Sequence, residues 1–102
     1  MKSFLISDNK DTLVGMDMAG VDGVILHGEE EIKNKLKELK YNKNIGIIII
    51  TEKAASMASD VVKDIKLSKG TPLLVEIPDR HGSKKGENYM LKYVNEAIGL
   101  KL

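Results

Sequence analysis

The residues best placed for chemistry are two short polar clusters, Ser7-Asp8 and Thr51-Glu52, each directly following an apolar run. Each run reads as a strand. In open parallel sheets, ligands sit outside the carboxyl ends of the strands, where the strand order reverses. A carboxylate from each of two neighbouring strand ends would hold a magnesium ion and, through it, a phosphoryl group. The same residue types have a simpler use. Asp8 and Thr51 are good helix N-caps, whose side-chain oxygens accept from the unpaired amides of a following helix. Capping is the commoner use and is the favoured reading here.

The magnesium reading corresponds to a receiver-like signalling domain, and it is the second reading kept. The sequence departs from that pattern. The third apolar run ends in Ile50 and Thr51 where an aspartate is needed, and no fifth run precedes a lysine. The phosphoacceptor site would therefore be degenerate. Dinucleotide binding needs glycines directly after the first strand, to bring backbone amides onto a pyrophosphate. That position holds Ser7-Asp8-Asn9-Lys10-Asp11, and no Gly-Lys-Ser/Thr follows Gly15 or Gly20. Phosphotransferase-system B components carry a cysteine where this chain has Ser7. His27 follows an apolar run, and a hydrogen-bonded structural histidine is the favoured reading. His81 lies in a glycine-bearing loop and reads as solvated. Arg80 to Gly86, with Lys84 and Lys85, precedes a helix and is the one anion-site candidate. A solvated linker or an electrostatic contact with an acidic protein surface fits the same residues.

Composition narrows the field further. At 102 residues the chain reads as one domain of ordinary size. It has no cysteine, which removes disulfides, thiolate nucleophiles and Cys-ligated metals. Two histidines far apart make a multi-His metal site unexpected, and no cofactor or metal is expected. A net charge of +1, no tryptophan and one phenylalanine give no basis for nucleic-acid binding. The longest apolar run, Ile45 to Ile50, falls far short of the ~20 residues of a membrane-spanning helix. The N-terminus lacks the features of a signal peptide. The expected location is cytoplasmic, with membrane association only through a partner.

The elements that must position these residues alternate. Apolar runs at Phe4–Ile6, Val21–Leu26, Ile45–Ile50 and Leu73–Ile77 read as strands, with helical patterns between them. Such continuous runs indicate a parallel sheet covered on both faces. A weak helix near Lys10–Met18 contains Gly15, with Asp8 to cap it and Gly20 to stop it. The second helix places Ile32, Leu36 and Leu39 on one face. Glu29, Glu30 and Glu31 lie in its first turn, and Glu29–Lys33 and Glu31–Lys35 are favourable pairs. A third helix starts at Thr51 and carries Ala54, Ala58, Val61 and Ile65 on one face. Right-handed crossovers give the strand order 2-1-3-4. The fold class is therefore α/β, a flavodoxin/receiver-like four-stranded parallel sheet with helices on both faces. The fourth strand is an edge, suited to Glu76. Residues 1–78 form this α/β part. Residues 79–102 form a basic loop and a C-terminal helix, about 87–98, with a wide apolar arc that either packs on the sheet or projects to a partner.

In this order the elements resemble the F-subunit family of V-type and archaeal-type (A-type) rotary ATPases. The resemblance spans nearly the whole chain. Its carriers are Ser7-Asp8, Gly15-Met16-Asp17-Met18-Ala19-Gly20-Val21, Ile47 to Glu52, Pro72 to Pro78, and Val94-Asn95-Glu96-Ala97-Ile98-Gly99. Met16 stands where the family usually has an aromatic residue, and Asp79-Arg80-His81 where it often has small ones. The resemblance implies a non-catalytic component of the central stalk. Such a component binds the coiled-coil D subunit, lies near the rotor-capping subunit and the catalytic head, and couples ATP hydrolysis or synthesis to proton or sodium transport without inserting into the membrane. It also implies that the end of the chain makes partner contacts, here assigned to Arg80, Lys84, Lys85, Tyr89, Met90, Tyr93, Val94 and Ala97.

Overall fold

The computed structural model describes residues 2–78. Its elements are β1 (Lys2–Ser7), α1 (Lys10–Met18), β2 (Asp22–Ile25), α2 (Glu29–Lys40), β3 (Ile45–Thr51), α3 (Glu52–Ser56), α4 (Ser59–Leu67) and β4 (Leu73–Ile77). All strand pairs are parallel, and the order is β2-β1-β3-β4, as the crossover rule predicts.

The centre of the sheet is β3, every residue of which is buried. Its side chains alternate between two apolar layers. Ile48 and Ile50 join Ile6, and against them pack Ile32, Leu36 and Leu39 of α2, Ala54 and Ala55 of α3, and Val62 and Ile65 of α4. Ile47 and Ile49 join Leu5 and Ile77 on the opposite face, with Leu13 and Met16 of α1. Each fully buried aliphatic side chain stabilises the fold by about 1.5–3 kcal/mol relative to exposure. Met16 is fully buried, and its flexible thioether packs into the layer with Leu5 and Ile49.

Three expectations are corrected. The single third helix is two helices, α3 and α4, with a break at Met57-Ala58. The break shifts the helical phase, so Val62 is buried and Val61 only partly so. The second strand is shorter than its apolar run and only partly buried, because it lies at the sheet edge. The Glu31–Lys35 pair does not form. Glu31 instead accepts from the Gly28 amide at 3.2 Å, and Lys35 pairs with Glu38 at 3.0 Å. That use of Glu31 satisfies one of the free donors around the helix start. The Glu29–Lys33 pair does form, at 2.8 Å.

Two ion pairs tie α2 to α4, Lys33–Asp60 at 3.5 Å and Lys40–Asp64 at 3.0 Å. At the opposite edge Lys66 of α4 pairs with Glu76 of β4. Gly23 is required by close approach. A Cβ there would meet the Leu5 Cβ and carbonyl oxygen at 2.8 Å and Leu13 at 3.1 Å. Gly20 is required by its φ of 82°, which turns the chain from α1 into β2.

This packing has two measurable consequences. Gly23→Ala drives a methyl group into Leu5 of β1, strains the β1–β2 pairing and costs about 1–3 kcal/mol, read as a lower urea midpoint with unchanged slope. The second concerns pH. The hydrogen bond to Glu29 raises the Lys33 pKa, and that to Asp64 raises the Lys40 pKa. The Val61 amide and, secondarily, Lys33 lower the Asp60 pKa. The lysine contribution is full below their unfolded pKa, about 10.4, and fades as pH rises through the folded values. The Asp60 contribution is full above about pH 3.9 and fades as pH falls. The thermal midpoint is therefore expected to be flat between these limits and to fall slightly outside them. Because the carboxylates of these pairs are exposed and the lysines only half-buried, added salt should flatten both flanks.

Candidate functional site

The carboxyl ends of β1 and β3 are where a sheet of this order would hold a ligand. Their polar residues are occupied locally. Ser7 is fully buried. Its hydroxyl donates to the Asn9 carbonyl at 2.7 Å and accepts from the Asn9 amide at 3.0 Å. A hydroxyl held on both sides in this way is a turn device rather than a nucleophile. The turn extends Asn9, with φ −142° and ψ 154°, and places it at the N-cap of α1. Its side-chain oxygen accepts from the Thr12 amide at 2.7 Å, and its side-chain amide donates to the Asp8 carboxylate at 3.2 Å.

The cap of α1 is thus Asn9 and not Asp8. The Ser7 hydroxyl sets the turn, and with it the helix starts one residue later than the acidic residue suggests. Thr51 behaves as expected. It is 1% exposed, and its hydroxyl accepts from the Ala54 amide at 3.4 Å to cap α3. Glu52 occupies the first turn of α3, where the helix dipole favours a negative charge. Among the described residues no group of three His, Cys, Asp or Glu side chains could hold a metal ion.

His27 is a hydrogen-bonded structural residue, though an exposed one. Its Nε2 donates to the Asp8 carbonyl at 2.9 Å, which ties the β2–α2 loop to the β1–α1 turn. A carbonyl partner requires the proton on Nε2. Arg80, Lys84, Lys85, Tyr89, Met90, Tyr93, Val94 and Ala97, together with His81 and the final helix, lie outside the described residues. No described helix is long and apolar enough to cross a membrane.

The structure adds one feature that sequence reading missed. An open cleft of about 310 Å³ lies at the β4 edge, lined by Glu52, Ser56, Ser59, Lys63, Lys66 and Glu76 with Ala55 and Val62. Its lining comes from α3 and α4, on either side of the break at Met57-Ala58, and from β4. No single residue type in that stretch signals it, which is why the periodicity suggested one continuous helix.

Magnesium titration separates capping from ion binding. Millimolar magnesium is expected to leave the amide resonances near Asp8 and Glu52 unshifted, and a saturable shift there would restore the receiver-like reading. Asn9→Ala is expected to cost about 1 kcal/mol of stability, with Asn9→Asp or Asn9→Ser close to neutral. Thermal melts of the three variants check this.

Comparison with known proteins gives a consistent answer. The family model described as ATP synthase (F/14-kDa) subunit matches residues 4–94. An F subunit of A-type ATP synthase from Thermococcus kodakarensis is 37% identical over 107 aligned positions, covering 100% of this chain and 98% of that protein. Relatives with the same description from Thermococcus onnurineus and Methanocaldococcus jannaschii are 38% and 33% identical, each over 100% of this chain and 98% and 99% of their own lengths. The match runs from β1 to beyond β4 and therefore includes every element described above. The chain belongs to the family of the ATP synthase (F/14-kDa) subunit.

Proposed function

We propose that this chain is a non-catalytic rotor component of an A-type rotary ATPase. It binds the coiled-coil D subunit in the central stalk and turns with it. It thereby helps couple ATP hydrolysis or synthesis in the head to proton or sodium movement through the membrane ring. Its place is on the cytoplasmic side, peripheral to the membrane, with the rotor-capping subunit and the head as neighbours. The observation that carries this reading is the end-to-end match to F-subunit relatives. The strand ends agree with it, since their polar groups serve turns and caps rather than a reacting substrate.

Residues 1–78 act as a rigid body and residues 79–102 as the partner-contact part. In the latter, Arg80, Lys84 and Lys85 steer the chain to an acidic surface. Tyr89, Met90, Tyr93, Val94 and Ala97 make the apolar contact. Tyrosines suit such an interface because each combines a large apolar ring with a hydroxyl. A folded body clasped to a two-stranded coil would also stiffen it, so that torque passes with less twist.

The test is recovery of the tagged full chain from detergent-solubilised membranes of its source. A long coiled-coil protein and the ATPase head proteins are expected to co-purify. Recovery of the chain alone, or with a kinase, would overturn the reading. With the purified D subunit, the double change Tyr89→Ala and Tyr93→Ala is expected to weaken binding at least about tenfold, since a single hot-spot tyrosine costs about 2 kcal/mol on truncation. Lys84→Gln with Lys85→Gln should mainly slow association and reduce its salt dependence.

A further inference from the structure

Because the strands are parallel, α2 and α4 run back along the sheet and end where β3 and β4 begin. That amino end of the sheet gathers cations. Lys2 opens β1, and its amide donates to the Asn44 carbonyl at 2.8 Å, which brings the turn after α2 beside it. Lys37 lies in the last turn of α2, where the helix dipole favours it. Lys43 lies in the turn into β3, and Lys69 in the turn into β4, the next strand along. All four are exposed. Other lysines of α2 and α4 are engaged, Lys33 by Glu29 and Asp60, Lys35 by Glu38, Lys40 by Asp64 and Lys66 by Glu76. Among the described residues these four have no ion-pair partner. In their midst stands Tyr41, the C-cap of α2, 77% exposed, with the Lys40 ammonium 5.7 Å from its ring centroid. The same end changes sign at β2. Asp22 opens that strand, and Asp17 lies in the last turn of α1, where the helix dipole disfavours it; both are exposed.

We infer that the amino end of the sheet is a second docking surface, and that its partner is a protein surface with Asp and Glu opposite the lysines and Lys or Arg opposite Asp17 and Asp22. The charge pattern selects this partner. A polyanion of uniform charge is attracted at β1, β3 and β4 but repelled at β2, whereas a protein surface can mirror the change of sign. The pattern therefore fixes orientation as well as attraction. Tyr41 supplies the apolar centre of the contact, and the lysines its polar rim. The inference rests on the stalk reading, which supplies the partner as a neighbouring component of the assembly. It goes beyond that reading by placing a contact on the folded body itself. A body gripped there as well as through residues 79–102 cannot swivel about a single attachment.

The test treats the purified assembly containing the full chain with a water-soluble carbodiimide, which joins a lysine to a carboxylate in contact with it. Links from Lys2, Lys37, Lys43 or Lys69 to Asp or Glu of a different subunit are expected. No links from these lysines, or links only to the chain's own carboxylates, would overturn the inference and leave the stalk reading standing. Links to Glu29–Glu31 of a second copy would mean that chains stack end to end, and would overturn it equally. Failure of the chain to co-purify with any ATPase component would overturn both readings together. A second measurement uses the full chain with Lys2→Glu and Lys43→Glu. Both side chains are exposed and lie outside the helices, so the thermal midpoint is expected to hold. Expressed beside the unchanged chain, this variant is expected to enter the assembly about tenfold less, because like charges then face each other across the contact. Equal recovery of the two chains would overturn the inference.

Discussion

Everything in this molecule hangs on the burial of β3 from both sides. A strand with seven consecutive buried residues, five of them isoleucine, cannot lie at a surface or an edge. It must have hydrogen-bonded neighbours on both sides and an apolar layer above and below. β1 and β4 supply the neighbours, and α2, α3 and α4 supply the larger layer. Parallel strands need crossovers, the crossovers are helices, and their hand sets the strand order. The shape of the domain thus follows from one apolar run and the handedness of its connections.

The same geometry explains why the strand ends carry polar residues. Helices beginning directly after buried strands need donors satisfied at once. Asn9 and Thr51 do so with their own side chains, which accept from the Thr12 and Ala54 amides, and Ser7 holds the turn before the first of these helices. His27 adds a cross-brace between neighbouring loops. In proteins of this architecture that bind nucleotides or phosphate, comparable positions present free backbone amides or carboxylates. Here their side chains hold the rim of the sheet together.

Much of this is legible in the sequence because long-range burial writes itself as composition. The isoleucine run, the Ile32–Leu36–Leu39 stripe and Glu76 on the final strand each specify an environment. Local hydrogen bonding is less visible. Asp8 and Asn9 are both good caps, and only the turn set by Ser7 decides between them. Glu31 had two partners within reach, a lysine one turn on or the backbone amide behind it. The amide won because a free donor at a helix start costs more than an exposed ion pair returns. The break at Met57-Ala58 escapes pattern reading because both Val61 and Val62 are apolar, so either phase looks amphipathic. Of the candidate contact residues, Arg80 through Ala97 were readable only as a basic loop before an apolar arc.

The run that organises the fold also carries a hazard during synthesis. Before β1 and β4 flank it, Ile45–Ile50 is an uncharged, β-prone segment with no proline, the composition that favours cross-β association between chains. Charged and amide residues stand immediately on either side, Lys43 and Asn44 before it and Glu52 and Lys53 after it, and act as gatekeepers. Because β1 precedes it in the chain while β4 follows, one edge of β3 has a partner as soon as it is made and the other must wait. Parallel pairing of distant segments is slow. The interval between emergence of β3 and arrival of β4 is therefore the period of greatest exposure for the newly made chain.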